Sequence, residues 1–156
     1  NPAAVGPMTS FFSSLAGYLH THDGNLPVVT SPTYSGLQES TTQFAQSVRK
    51  VLGSVDVVNV QDGGGAGYIQ ASDITNWFTA LSAALAGTRT TLWDDADMYA
   101  VTGGPMDPRQ LQTNLNAACG AARSWTGFSF TSQMGPADLG QSSTYDAYRR
   151  YVGLKH

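Results

Sequence analysis

Val55-Asp56-Val57-Val58-Asn59-Val60-Gln61-Asp62-Gly63-Gly64-Gly65 is a β-branched run that ends in glycine. Side chains alternate across an extended chain, so Asn59 and Gln61 fall on one face and Val58 and Val60 on the other. Three further runs have strand character: Leu26–Thr30, Arg89–Trp93 and Ser124–Thr131. Thr91 in the third strand, and Ser129 and Thr131 in the fourth, supply polar positions. Leu92, Phe128 and Phe130 occupy the alternate, apolar ones. A central strand of an open doubly wound sheet is apolar on both faces, whereas a β/α barrel accepts polar side chains in its lumen near the active end. One polar face throughout therefore predicts a barrel wall, with Asn59, Thr91, Ser129 and Thr131 on the concave side.

Between the strands the apolar period changes to that of helices. Met8–Thr21 carries Phe11, Phe12, Leu15, Tyr18 and Leu19 at helical spacing. Thr42–Leu52 follows, with Gly53 as a left-handed stop, and then a third helix that Ser72 could cap and Gly87 could end. Asp107-Pro108-Arg109-Gln110 reads as a capping-box start with proline at the first helical position, and Ser143 with Asp146 as the cap of a last helix ending at Gly153. Successive strands begin 30, 33 and 35 residues apart, a spacing suited to βαβ units with right-handed crossovers. The predicted fold is α(βα)4, four parallel strands in sequential order. That is half of a (β/α)8 barrel, since a full one needs eight strands in ~250 residues. A single domain over 1–156 is expected, with a leading helix in 1–25 and four βα units in 26–156.

Composition narrows the function. Eight Lys or Arg against eleven Asp or Glu, and a net charge of -3, leave no clustered basic surface for phosphate, so nucleic acid is excluded as a partner. No apolar run reaches the ~18 residues that suggest a membrane span. Cys119 stands alone among alanines and reads as a small buried hydrophobe. His20 and His22 point apart on a helix, so they suit its dipole better than a metal. The glycines after Asp62 do not make a phosphate loop: Tyr68 stands where a third glycine belongs, and no Gly-Lys-Ser/Thr follows. No cofactor or metal is expected. Low charge with abundant Gly, Ser, Thr and Ala is a composition like that of secreted bacterial carbohydrate-active proteins, and Asn1-Pro2-Ala3-Ala4 could follow a removed leader or an upstream segment.

Charge concentrates in one place, Leu92-Trp93-Asp94-Asp95-Ala96-Asp97-Met98-Tyr99, where three carboxylates fall within four positions. Asp95 and Asp97 share a face and Asp94 takes the other. Each could instead cap a turn or make backbone bonds. Asp62, Asp95 and Asp97 lie just after predicted strands, where barrel enzymes place catalytic groups. Tyr34, Gln61 and Gln133 share that position. Trp93, Tyr34, Tyr68 and Tyr99 could stack on sugar rings or simply pack. The only glutamate, Glu39, sits in a loop, so any carboxylate chemistry falls to aspartates.

The run from Val55 to Gly65, the stretch Leu92–Tyr99, and Phe128-Ser129-Phe130-Thr131-Ser132-Gln133-Met134-Gly135-Pro136 with Tyr145-Asp146-Ala147-Tyr148 resemble the C-terminal half of an uncharacterised family of secreted glycoside-hydrolase-like TIM-barrel proteins. The resemblance implies that the four strands are the fifth to eighth of a barrel and that Asp97 is a nucleophile or base, standing where the family usually carries glutamate. A further family carboxylate, at the end of the fourth barrel strand, lies upstream of this sequence. Asp95 would then orient Asp97, and Asp62 with Gln61 would hold a sugar hydroxyl or share a proton. Three classes stay open. The chain is a glycoside hydrolase acting on an extracellular polysaccharide and completed by a second half-barrel chain or a second copy. Or it is a non-catalytic carbohydrate-binding or structural subunit that assembles through its open sheet edges. Or Asp95-Ala96-Asp97 is the D-x-D metal site of a sugar-transfer enzyme.

Overall fold

A computed structural model of the chain describes residues 2–32, 40–64, 70–100, 104–128 and 142–153. The elements run α1 (Pro2–His22), β1 (Val29–Thr30), α2 (Thr41–Leu52), β2 (Val57–Gln61), α3 (Ala71–Leu85), β3 (Thr91–Asp97), α4 (Pro108–Ala118), β4 (Trp125–Phe128) and α5 (Ser142–Gly153). All four strands are parallel and their spatial order is β1-β2-β3-β4, the sequential order of a barrel wall. A doubly wound sheet would reverse direction along this order. The α(βα)4 arrangement predicted from strand spacing is the one found.

The sheet is concave on its polar face. Asn59 on β2 and Thr126 on β4 flank β3, two strand spacings or about 9.5 Å apart across a flat sheet and further offset along it, since Asn59 pairs with Trp93 and Thr126 with Asp95. Their side chains nevertheless meet, with Asn59 Nδ2 2.8 Å from Thr126 Oγ1. Two such short side chains reach each other only if the wall curves inward over β3. The other face is covered by helices. Val58, Val60 and Leu92 pack with Val48, Val51 and Leu52 of α2 and Ile74, Trp77, Phe78, Leu81 and Leu85 of α3. Ala96 and Met98 pack with Leu111 and Leu115 of α4 and Tyr151 of α5.

Several local expectations are corrected. α1 starts at Pro2 rather than Met8: Pro7 removes one N–H from the ladder without breaking the helix, and Val5 ahead of it packs against the core. β1 is limited to Val29–Thr30. Gly53 is not left-handed, with φ −67°; a Cβ there would lie 2.5 Å from the Arg49 carbonyl oxygen, so close backbone approach is what it provides. Gly87, just beyond α3, is left-handed, with φ 76°. Ser72 lies inside the first turn of α3, because Asp73 Oδ2 accepts the Gln70 N–H at 3.1 Å and makes Gln70 the cap. Asp107 caps α4 by accepting from Arg109 and Gln110 N–H, but the Gln110 side chain turns to Asn114 instead of closing a box. α5 starts at Ser142, so Ser143 is not its cap. β3 runs on to Asp97 instead of stopping at Trp93, which places the acids in the strand itself. Cys119 follows the end of α4 and is half-buried rather than buried.

His20 also departs from the dipole reading. Its Nε2 is 2.7 Å from Asp56 Oδ2, while Arg89 donates to Asp56 Oδ1 at 2.8 Å and approaches His20 Nδ1 at 3.2 Å. This clasp joins α1 to the starts of β2 and β3, the end of the barrel opposite the acids. His22 does sit at the helix end, stacked on Tyr18 with Nδ1 3.1 Å from the Tyr18 carbonyl.

Candidate functional site

The C-terminal ends of β2 and β3 bring four carboxylates together. The β2–β3 ladder extends one bond past Gln61, from Asp62 N–H to the Asp95 carbonyl at 3.3 Å. The chain then turns at Gly63, whose φ of 67° favours glycine. Asp62 Oδ1 accepts the Gly64 N–H at 2.9 Å and the Asp97 N–H at 3.4 Å, which ties this turn to the end of β3. Gly64 is required for space: a Cβ would fall 2.4 Å from Asn114 Nδ2 and 3.4 Å from Asp62 Oδ1. Asn114 is buried, with Gln110 donating to its Oδ1 at 2.8 Å.

Asp95 lies on the concave face. Its Oδ1 is 2.8 Å from Thr126 Oγ1, and Ser31, just past β1, donates to its Oδ2 at 3.4 Å. Three strand ends thus converge on one carboxyl group. Asp62 is fully buried, Asp97 is 2 % exposed and Asp95 8 %, so of the three expected site acids Asp95 is the most open to the lumen.

Asp94 faces the other way. Leu92 and Ala96, two residues to either side, pack under the helices, so alternation puts Asp94 between them on that layer. It is fully buried and, among the described residues, neither of its oxygens has a hydrogen-bond partner; nor have Asp62 Oδ2 and the Nε1 of Trp125, the β4 register partner of Asp94, which are buried too. A carboxylate in such a place is costly to ionise. Burial first, and then the charges of Asp62, Asp95 and Asp97, push the Asp94 carboxyl well above its ordinary range. Burial and the Asp97 charge raise Asp62 to about 7, against the opposing pull of the Gly64 and Asp97 N–H groups. Burial raises the Tyr148 hydroxyl, with Asp94 and Asp95 adding to the shift.

Gln61 and Tyr99 are half-buried around this mouth; Trp93, expected there too, is half-buried but lies within β3 beside Asn59, four residues before Asp97. Tyr99 pairs with Pro105 in an antiparallel bridge that narrows the loop after β3. Tyr34, Tyr68 and Gln133, expected at the same mouth, lie outside the described residues, as do Ser129 and Thr131. Within the described part of β4 the polar side chain on the concave face is Thr126, whose parity is opposite to that expected from Ser129 and Thr131. Sequence reading therefore missed Thr126 and Ser31 as partners of Asp95, and Asn114 as the side chain packed against Gly64. It also missed Asp94 as one of the two most perturbed acids. The signal for Thr126 was present in the pairing of Trp125 with Thr126, an apolar residue next to a polar one at the start of the strand. Among the described residues no three His, Cys, Asp or Glu side chains are placed to hold a metal ion, so the D-x-D reading draws no support from the geometry.

The family model described as Domain of unknown function (DUF4434) matches residues 1–140. The chain belongs to the DUF4434 family. No curated protein matches this DUF4434 chain. Among solved structures it is similar to one described as "a putative alpha-L-fucosidase from Bacteroides thetaiotaomicron", with a TM-score of 0.76 and 21% identity over 93% of the chain. At that identity the likeness is one of fold alone. The DUF4434 chain spans about half of that structure, 51% of its length. Among its described residues no helix is long and apolar enough to cross a membrane.

Proposed function

We propose that this chain contributes the C-terminal half of a glycoside-hydrolase-like barrel that binds an extracellular polysaccharide or oligosaccharide across the C-terminal ends of its strands. The observation that carries this reading is the convergence of Asp62, Asp95 and Asp97 at the ends of β2 and β3, with Asp62 titrating near neutrality. Glycoside hydrolysis needs one carboxyl group that carries a proton and another that is ionised. Asp95, the most exposed, meets the sugar; Asp97 is the second carboxylate; and Asp62 acts through Asp97, whose N–H it holds. Tyr99 offers an aromatic face at the rim, and Trp93 one deeper along β3. The barrel is completed by a second (βα)4 unit that supplies the acid across the scissile bond. Without it the chain binds glycans and does not cleave them.

The test compares the chain alone with the chain plus any co-assembling half on a panel of glycans, using Asp95→Asn and Asp97→Asn. Binding by the chain alone, with cleavage only in the assembly and lost in Asp97→Asn, is the expected result. Cleavage unchanged in both variants removes these acids from the mechanism. Absence of glycan binding by either form leaves a structural subunit, the reading that would then replace this one.

A further inference from the structure

We propose that the helix-facing side of the sheet binds one enclosed water molecule between Asp94, Trp125 and Asp62, a site that hydrogen-bonds the acid of the apolar layer to the acid that ties the mouth together. Four atoms of three side chains point to it. Both oxygens of Asp94, Oδ2 of Asp62 and Nε1 of Trp125 are buried and, among the described residues, have no hydrogen-bond partner. Asp94 and Asp62 are themselves fully buried. The register gathers them around one spot. Asp94 on β3 and Trp125 on β4 are paired, and paired residues of adjacent parallel strands send their side chains to the same face. Asp62 follows Val60, the β2 partner of Asp94, by two residues, and its N–H still bonds the Asp95 carbonyl, so it continues the same helix-facing row. Its charge acts on Asp94 more strongly than those of Asp95 and Asp97. Between Asp62 and Trp125 the sheet carries only Ala96 and Gly127, a register pair, so no large side chain of the sheet fills the interval.

The mixture of atoms selects the ligand. The Trp125 indole N–H can only donate, whereas the carboxyl oxygens of Asp62 and Asp94 accept. A metal cation would suit the carboxyl groups but repel the N–H, and an anion would suit the N–H but meet two acids. Water does both. It accepts from Trp125, donates to Asp62 Oδ2 and bonds Asp94, which offers a hydrogen when neutral and an oxygen in either state. About three partners is typical of a buried water, and such waters commonly satisfy polar groups that the chain itself leaves unpaired. The indole is not free to turn to another partner: its ring stands edge-on to Tyr151, 5.6 Å away at 87°, and the Tyr151 hydroxyl is tied to the Leu115 carbonyl at 2.9 Å. Nor does bulk solvent reach this layer, since Ala96 on the sheet and Leu111 and Leu115 above it are fully buried. The site lies beneath the mouth and stands apart from the glycan reading.

The experiment joins a high-resolution crystal structure of the full chain to NMR of water contacts at the Trp125 ring. The native protein should show one density peak at hydrogen-bond distance from Trp125 Nε1, Asp94 and Asp62 Oδ2. The carbon-bound ring protons beside Nε1 should give water cross-peaks whose NOE and ROE differ in sign, the mark of a long-lived water. Asp94→Asn keeps a donor and an acceptor and should keep both signals. Asp94→Leu puts an apolar side chain of similar size in their place and should lose both. A native structure with no peak there would overturn the proposal, as would Trp125 Nε1 bonded directly to Asp94 or to any other group of the chain, a peak at metal-coordination distance, or cross-peaks that survive in Asp94→Leu. The native crystal decides the matter even where a variant does not fold. No readout involves a sugar, so failure of the water site is distinguishable from failure of the glycan site.

Discussion

At the scale of single residues, the acids differ because their surroundings do. Asp62 has an ordinary value of 3.8 and a folded value of about 7. Between those values the unfolded chain loses its proton and the folded one keeps it, so stability from this group is greatest below 3.8 and declines as pH rises towards 7. Asp62→Asn keeps Oδ1 as acceptor for the Gly64 and Asp97 N–H groups but removes the charge. The variant should be more stable than the native chain at pH 8, by on the order of 2–3 kcal/mol, with the two converging near pH 4; urea unfolding at both pH values checks this. A native chain no less stable at pH 8 would show that Asp62 ionises freely. The acids themselves were legible in the sequence, because three carboxylates in four positions stand out in a chain so poor in charge. Their division between faces was only partly so. Alternation put Asp94 opposite Asp95 and Asp97, but it does not reveal that the opposite layer is dry there, which depends on α4 and α5 packing over it. Thr126 was missed although its signal was present: the phase of β4 was read from Ser129 and Thr131, and its described part starts on the other parity.

At the scale of elements, two devices fix how strands meet helices. The clasp of His20, Asp56 and Arg89 holds α1 against the strand starts. Burial alone would raise Asp56, but the Val28 N–H, the His20 hydrogen bond and the Arg89 charge outweigh it and hold the carboxyl below its ordinary value. Its contribution is therefore present above the usual carboxylate range and is lost as pH falls through the lowered folded value. Asp56→Ala should cost about 1–3 kcal/mol at pH 7 and less at pH 3, measured by thermal unfolding at each pH. At the other end, Gly64→Ala forces a methyl group against Asn114, beside Asp62. A cost of about 1–3 kcal/mol is expected, together with a changed environment for Asp97, whose N–H depends on Asp62. The helices and strands that create these junctions were legible because their periods were clean: Ile74, Trp77, Phe78, Leu81 and Leu85 all proved buried on one side of α3. Boundaries were less so. Pro7 carries a local preference that tertiary contact overrode, through Val5 packing, whereas Ser72 and Gly53 yielded to other local contacts, the reach of Asp73 to Gln70 and the closeness of the Arg49 carbonyl.

At the scale of the molecule, a wall of four strands has two edges to cover. Among the described residues β1 pairs only with β2, and β4 only with β3, so the wall ends in two unclosed edges. The β1 edge is also apolar: Leu26 and Val29 are each 52 % exposed, and Met8 and Phe11 on α1 stand out beside them. A groove of about 960 Å³ opens here between α1 and α2, lined by Val5, Met8, Phe12, Val48 and Val51 and floored by the residues just after β1. Exposed strand edges flanked by apolar surface invite pairing, and natural proteins seldom leave them bare. Four strands, a structure of twice the length with the same fold, and an apolar edge together favour a second (βα)4 unit running parallel to β1, carried by another chain or by further residues of a longer one. Such a contact should bury more than about 1,000 Å² and be dominated by the apolar edge. The expected outcome is association of the chain in sedimentation, with itself or with a supplied half-barrel, that weakens by at least tenfold in Val29→Lys while helix content by circular dichroism stays unchanged. A charge at Val29 opposes pairing at β1 without touching the Asp95 site or the α2–α3 core. A native chain that stays monomeric at high concentration and ignores every half-barrel offered would show that the β1 edge is tolerated bare.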